Sequence, residues 1–259
     1  TNSNENDIWI KQLDRTSGTL TKLTFEGNNL NPVWTPDGQR VLYAGGGRSL
    51  RSRRADGTGA VDTLFMSLRG VYSVVLTPDS NTFVLRLNGP NDIALAHRGD
   101  TATVPLVASP VFSENSPALS PDGRWLAYTS DESGRFEVYV RPYPNVDAGP
   151  WQVSQAGGVS PHWSHTGREL FYENGAKALV AAAVVPGVTF TVGAQVTLFN
   201  TSGFAGSPNF LYYDVAPDDQ RFVFFRKPTE NGEVTVDPLV QMVNWNVEVQ
   251  AKLKGKTPQ

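Results

Sequence analysis

The chain has 259 residues and a formal net charge of −3, from 22 basic and 25 acidic side chains, so its charge gives no electrostatic reason to expect nucleic acid or an anionic membrane as partner. Hydrophobic residues make up 39%, and the 24 glycines raise the apolar share to about 48%, an ordinary globular value that excludes disorder over most of the length. With no cysteine, disulfides, thiol catalysis and cysteine-held zinc or iron–sulfur centres are excluded. The longest apolar run, Ala178 to Val185, is eight residues and stops at Pro186, too short to cross a bilayer, and no signal-peptide pattern is read at the start.

In chain order, two strand-like runs come first, 8–13 and 20–25. A repeated motif follows. Pro32-Val33-Trp34-Thr35-Pro36-Asp37-Gly38 precedes the apolar run at 40–43. Pro117-Ala118-Leu119-Ser120-Pro121-Asp122-Gly123 precedes 125–128, and Pro161-His162-Trp163-Ser164-His165-Thr166-Gly167 precedes 169–172. Decayed copies stand at Leu76-Thr77-Pro78-Asp79-Ser80 and Val215-Ala216-Pro217-Asp218-Asp219. The anchors Asp37, Asp79, Asp122, Thr166 and Asp218 are 42, 43, 44 and 52 residues apart, the period of a four-stranded propeller blade.

Proline presets φ, aspartate bonds back to the local backbone and glycine takes the left-handed position, so each motif reads as the turn of an inner hairpin. The aspartates are thus turn residues rather than catalytic carboxylates. Two further strand-like runs follow the hairpins: 50–54 and 61–66, 137–142 and 151–154, then 179–185 and 195–199. The segment 246–254 reads equally as a short helix or as a strand, since Trp245, Val247 and Val249 alternate.

These repeats resemble the TolB-like propellers, also called WD40-like PD40 repeats. A closer resemblance rests on Asn6-Asp7-Ile8-Trp9-Ile10, Gly18–Phe25, Ser120–Arg135, Glu137–Pro144, Gly167–Tyr172 and Val243-Asn244-Trp245. These stretches are similar to the C-terminal half of the sensor-like propeller region of bacterial membrane-anchored serine/threonine protein kinases. The resemblance implies an all-β fold of four-stranded antiparallel blades, an extracytoplasmic or periplasmic location tethered through an upstream segment, and a sensory role; a cytoplasmic location is the alternative. Departures are Ser80 for the turn glycine and His165-Thr166 for Pro-Asp. No kinase domain lies in the chain, so no catalytic residue carries over.

One propeller is expected over 1–249, with repeats at about 1–27, 28–68, 69–111, 112–156, 157–201 and 207–246 and a tail at 250–259. The runs at 8–13 and 20–25 read as the outer pair of a blade without its own hairpin, and 239–245 as the third strand of the last. That is a six-bladed register with an incomplete first blade; the alternative is a closed five-bladed ring.

Chemistry is sparse. No Gly-x-Ser-x-Gly elbow is present. His162 and His165 are three apart around a hairpin, a spacing that sends them to opposite faces, so no shared metal is expected. Asp131-Glu132 and Asp218-Asp219 read as solvated turn acids. Arg48, Arg51, Arg53 and Arg54 read as a solvated outer strand. No EF-hand loop occurs, and neither cofactor nor metal is expected.

Function is therefore sought on a propeller face. Two loop sets share one face: those leading into the innermost strands (28–31, 113–116, 157–160, 207–212) and those joining second to third strands (45–48, 88–92, 131–135, 229–237). Candidate ligand contacts are Asn29, Asn31, Glu114, Asn115, Arg135, His162 and Asp214, the last two in equivalent inner-strand slots. The expected function is a non-catalytic binding or sensory module for a protein, peptide or glycan, with no nucleic acid partner and no membrane contact by this segment. The alternatives are a funnel-site enzyme of hydrolase or lactonase type and an envelope scaffold.

Overall fold

The computed structural model describes residues 6–12, 20–89, 92–206, 212–225 and 239–243, the last five by backbone alone. Every regular element among them is a strand. The chain divides into two compact units, residues 1–117 and 118–259.

In the first unit, β1 (Trp9–Lys11) and β2 (Leu20–Lys22) form a two-stranded sheet. β3 (Asn29–Trp34), β4 (Arg40–Gly45), β5 (Ser49–Arg54) and β6 (Asp62–Met66) form a four-stranded antiparallel sheet in chain order. β7 (Val71–Leu76), β8 (Thr82–Leu87), β9 (Asp92–His97) and β10 (Val104–Val107) repeat it.

The next sheet holds β11 (Glu114–Leu119), β12 (Trp125–Ser130), β13 (Glu137–Pro142) and β14 (Trp151–Gln152). In the second unit follow β15 (Gly158–Trp163), β16 (Glu169–Asn174), β17 (Ala178–Val184) and β18 (Val192–Asn200), then a three-stranded sheet of β19 (Tyr213–Val215), β20 (Arg221–Phe225) and β21 (Leu239–Val243). This is the all-β, blade-by-blade architecture expected. Because β21 pairs with β20 while β1 and β2 form a sheet of their own, the sheets follow the six-bladed register with an incomplete first blade. The segment 246–254 lies outside the described residues, as does the loop 229–237.

The second strands of the four-stranded sheets are buried on both faces, so alternate residues of one strand serve different neighbours. On β4, Leu42 and Ala44 join a core with Phe83, Leu85 and Leu87 of the next sheet, while Val41 and Tyr43 pack on Ile8 and Leu23 of the β1–β2 pair. On β16, Leu170 and Tyr172 pack with Trp125, Val138 and Val153; Phe171 turns the other way, edge-on to Phe222 at 5.0 Å between ring centres. Deleting such a ring removes about 3–5 kcal/mol, which is why the sheets stack rather than float.

The hairpin turns behave as the motif predicts. Thr35 and the Gln39 amide donate to Asp37, and Gly38 sits at φ 65°. Asp79 accepts from Thr77, from the Asn81 and Thr82 amides and from the Thr82 hydroxyl, with Ser80 taking the left-handed φ of 56° where glycine is usual.

A second recurring device identifies the β1–β2 pair. Asp7 accepts from the Thr24 hydroxyl at 2.8 Å and the Gly27 amide at 3.3 Å, while the Ile8 amide donates to Thr24. Glu137 accepts from the Ser154 hydroxyl and, at 2.9 Å, the Gly157 amide, while the Val138 amide donates to Ser154. The backbone bonds Leu23 to Ile8 and Val153 to Val138, both 2.8 Å, complete the match. An acid at the start of a third strand and a hydroxyl at the end of a fourth thus clamp the loop that leads into the next sheet. Sharing this clamp with β13 and β14 makes β1 and β2 the third and fourth strands of a blade.

One expectation fails here. Arg51, Arg53 and Arg54 lie on β5, which is bonded to β4 on one side and β6 on the other, while Arg48 is exposed in the turn before it. This strand is an inner one of its sheet, with Arg51 and Arg53 half-buried. Arg48 and Arg54 are exposed as expected; Arg51 and Arg53 depart from that reading because an arginine's apolar stem, which tolerates burial, carries no sequence signature of its own.

Candidate functional site

In the first unit, backbone hydrogen bonds weld the two loop sets of one face together. The Gly46 amide donates to Asn28 O (3.1 Å), the Val71 amide to Gly47 O (3.0 Å) and the Asn88 amide to Gly70 O (2.8 Å). Gly70 is required by this approach: a Cβ there would stand 3.1 Å from the Asn88 Cβ and 3.4 Å from Gly47 O. The loops are therefore held by main chain, leaving side chains to project.

Those side chains are apolar. The three lead-in loops of this unit present Phe25, 63% exposed, Leu68, 89% exposed, and Val111 with Phe112, 77% and 37% exposed. Phe25 is flanked by cations, the Lys22 Nζ at 5.5 Å and the Arg53 guanidinium at 5.6 Å from its ring centre. An aromatic face between two cations stays solvent-tolerant while remaining sticky. The ranges 28–31 and 113–116 miss these residues because β2 ends at Lys22 and the loop before β11 starts after Val107, earlier than the motif spacing implies.

The second unit offers a cavity of about 370 Å³ bounded by Gln155, Tyr172, Asn174, Gln195 and Thr197. Its polar groups already serve the fold. Tyr172 donates to Gln195 at 2.7 Å, Gln195 donates to Val153 O at 2.9 Å, and Asn174 accepts the Ala176 and Ala178 amides at 3.0 Å each. Burial, helped by nearby Glu137, pushes the Tyr172 hydroxyl up to about 12, so it stays neutral.

The residues singled out from sequence fall into three groups. Asn29, Glu114 and Asn115 are buried. Asn29 donates to Asp7 at 3.2 Å, Glu114 accepts the Ser109 amide at 3.3 Å, and Asn115 leaves both amide atoms without a partner. Asn31 sits on a bulge before Pro32 with φ 50° and donates to Tyr72 O; Ser116 and Ser160 hold the same left-handed slot before Pro117 and Pro161. The register shifts at two of these positions, between Leu30 and Val33 and between Val159 and His162, as at a β-bulge. Arg135 is exposed, bound to Glu137 at 2.7 Å and to Gln155 O at 2.6 Å.

His162 on β15 and Asp214 on β19 are brought together: Nε2 lies 3.0 Å from Asp214 Oδ1, and Nδ1 lies 2.8 Å from Trp163 O. Both ring nitrogens are engaged. Crowding opposes ionisation of Asp214, but the His162 bond and charge outweigh it, and the carboxyl lies below its usual 3.8.

A second pair was not foreseen. Asp219, read as a solvated turn acid, is 8% exposed. It accepts the His165 amide at 2.9 Å, His165 Nδ1 at 2.8 Å and the Thr166 amide at 3.2 Å. Two departures from the repeat complement each other. Histidine in the proline slot supplies an N–H that proline lacks, and aspartate in the glycine slot, at φ 53°, supplies the acceptor. Both oddities were visible side by side in the repeats; only their partnership was not. Among the described residues no three His, Asp or Glu side chains converge as a metal set would.

No family model matches the chain, and no curated protein matches it. Solved structures do. A putative TolB from Agrobacterium tumefaciens superposes with a TM-score of 0.65 at 15% identity, over 88% of this chain and 81% of that one. TolB from Acinetobacter baumannii gives 0.64 at 17% identity over 91% of this chain; the match spans 56% of that longer protein. An oligogalacturonate lyase in complex with manganese gives 0.52 at 13% identity, over 87% and 79%. The chain has the fold of the TolB-like β-propellers. At these identities the likeness is one of fold, and a fold shared with a lyase does not settle chemistry.

Proposed function

We propose that this chain is a non-catalytic binding module whose lead-in loops engage a protein or peptide. The observation that carries this reading is the set of exposed apolar side chains, Phe25, Leu68, Val111 and Phe112, on the lead-in loops, the first two on loops whose flanking backbone is hydrogen-bonded to neighbouring main chain. Large apolar groups on a rigid polar rim are what a protein interface uses as anchors. A glycan, the other ligand considered from sequence, fits less well, since Asn29, Glu114 and Asn115 are buried.

We read the module further as the extracytoplasmic, sensory part of a membrane-anchored serine/threonine kinase, tethered through an upstream segment. The motif resemblance supports that finer reading, and the absence of a helix long and apolar enough to cross a membrane among the described residues is compatible with it. The likeness to the manganese-bound lyase favours a funnel enzyme as the second reading. Against it stand the fully engaged His162 and the scattered carboxylates.

The test is a peptide-array screen with the purified chain, repeated with Phe25→Ser plus Leu68→Ser. The double variant is expected to lose about tenfold or more in affinity for the best peptides while melting like the wild type. Unchanged affinity would remove the loops from the interface. Metal-dependent cleavage of an oligosaccharide by the unaltered protein would favour the second reading.

A further inference from the structure

The neighbouring sheets β15–β18 and β19–β21 meet through two histidine–aspartate pairs, and the two pairs differ in what they demand of the histidine. His165 uses one ring nitrogen, Nδ1, and the Asp219 carboxylate is also held by two backbone amides. A neutral imidazole with its proton on Nδ1 satisfies that geometry. His162 faces acceptors on both sides, a backbone carbonyl at Nδ1 and a carboxylate at Nε2. Neither acceptor carries a hydrogen when Asp214 is ionised, so both bonds form only when the ring holds two protons. A neutral ring keeping Nδ1–H on Trp163 O would aim a lone pair at a carboxylate 3.0 Å away.

We propose that His162 and Asp214 form a proton-dependent clasp between β15 and β19, beside a proton-independent fastening made by His165 and Asp219. The Asp214 side chain is 70% exposed, its Oδ1 also accepting the Val215 amide at 2.8 Å, whereas that of His162 is 21% exposed and its ring lies 5.9 Å from the Tyr213 ring. The same slot holds the apolar residues Val33, Val75 and Ala118 in the three preceding sheets, so the clasp belongs to this junction alone.

The surrounding charges are few. His165 acts on Asp214 from the adjoining hairpin, Glu169 on β16 feels Asp219, and Tyr213 on β19 feels Asp214 and Glu173 of β16, the last held by Lys177 and Thr201. Asp218 on the fifth hairpin is paired with Arg221. Of the charged residues on β12 and β13, which also pack on β15, Glu137 is held by Arg135, Ser154 and Gly157, and Arg141 by Tyr128 and Val146 O.

The sign follows from both partners. Asp214, with its folded value below 3.8, contributes above that value and loses its contribution as pH falls through the folded one. The doubly protonated ring that both bonds require is the acid form of an imidazole. The clasp is therefore closed in mildly acid solution and opens toward alkaline pH.

Amide hydrogen exchange of the whole chain, corrected for intrinsic rates and read on peptides covering 212–225, tests this at about pH 6 and about pH 8. In the wild type, protection there should fall about threefold at the higher pH, the scale of a partly exposed ion pair. His162→Gln, which keeps a neutral donor toward Asp214 at both pH values, should abolish the difference, and Asp214→Asn should do the same if the first variant folds poorly. His165→Gln should retain it. A wild type with no change confined to this segment, a change surviving in both clasp variants, or its loss in His165→Gln would each overturn the proposal.

Discussion

The third and fourth inner hairpins occupy the same place in successive sheets and close in different ways. In the third, Asp122 accepts the Ser120 hydroxyl at 2.6 Å and the Arg124 amide at 3.1 Å, so every bond of the turn comes from within five residues. In the fourth, Thr166 replaces the aspartate and makes only longer contacts, 3.1 Å to Ser164 and 3.5 Å from the Arg168 amide. The missing carboxylate arrives from Asp219, more than fifty residues further on. One turn is a local object; the other is half of a junction between sheets. A repeat can thus lose its turn chemistry without losing its turn, provided the neighbour supplies what is gone.

The largest effect should come from breaking the borrowed turn. Asp219→Ala leaves two amides and a histidine without their acceptor and should cost about 2–3 kcal/mol in urea unfolding, whereas Asp122→Ala, on the surface, should cost under about 1 kcal/mol. Equal costs would mean that the two turns are closed alike. Next, restoring the repeat with His165→Pro and Asp219→Gly together should be milder than the sum of the single changes. The expected coupling is about 1 kcal/mol in a double-mutant cycle, and additivity would deny the partnership.

The smallest effect concerns a local turn in acid. Bonds from Thr77, the Asn81 and Thr82 amides and the Thr82 hydroxyl hold the Asp79 carboxyl well below the usual carboxylate range. Its contribution is present above about pH 4 and is lost as pH falls through the folded value. Asp79→Asn should therefore flatten the acid limb of the stability profile below about pH 4, and an unchanged slope would show that the turn does not depend on the charge.

These contrasts also mark what could be read in the residues. The Pro-Asp-Gly spacing locates the hairpins because it reports local backbone chemistry, and the slot shared by His162 and Asp214 follows from counting back from the turns. The bond between those two side chains, and that between His165 and Asp219, depend on how neighbouring sheets approach, which no spacing within one repeat encodes. The burial of Asn29, Glu114 and Asn115 was hidden for the same reason: a polar residue near a loop looks exposed until the adjoining sheet covers it. Phe25 was hidden differently, standing at the end of an apolar run that reads as strand, although β2 stops at Lys22.

The paired departures at positions 165 and 219 have a consequence for the routes by which such a chain changes. Consider a parent with proline at 165 and glycine at 219. Changing proline to histidine first leaves a serviceable turn with one spare N–H facing water. Changing glycine to aspartate first puts a side chain in the left-handed slot and brings its carboxylate to a proline ring with no hydrogen to offer, leaving only the amide at 166 of the three donors it meets here. The two orders end at the same sequence, yet only one avoids a destabilised midpoint. Asp219 is in this sense a follower of His165, and once both are in place neither reverts cheaply alone.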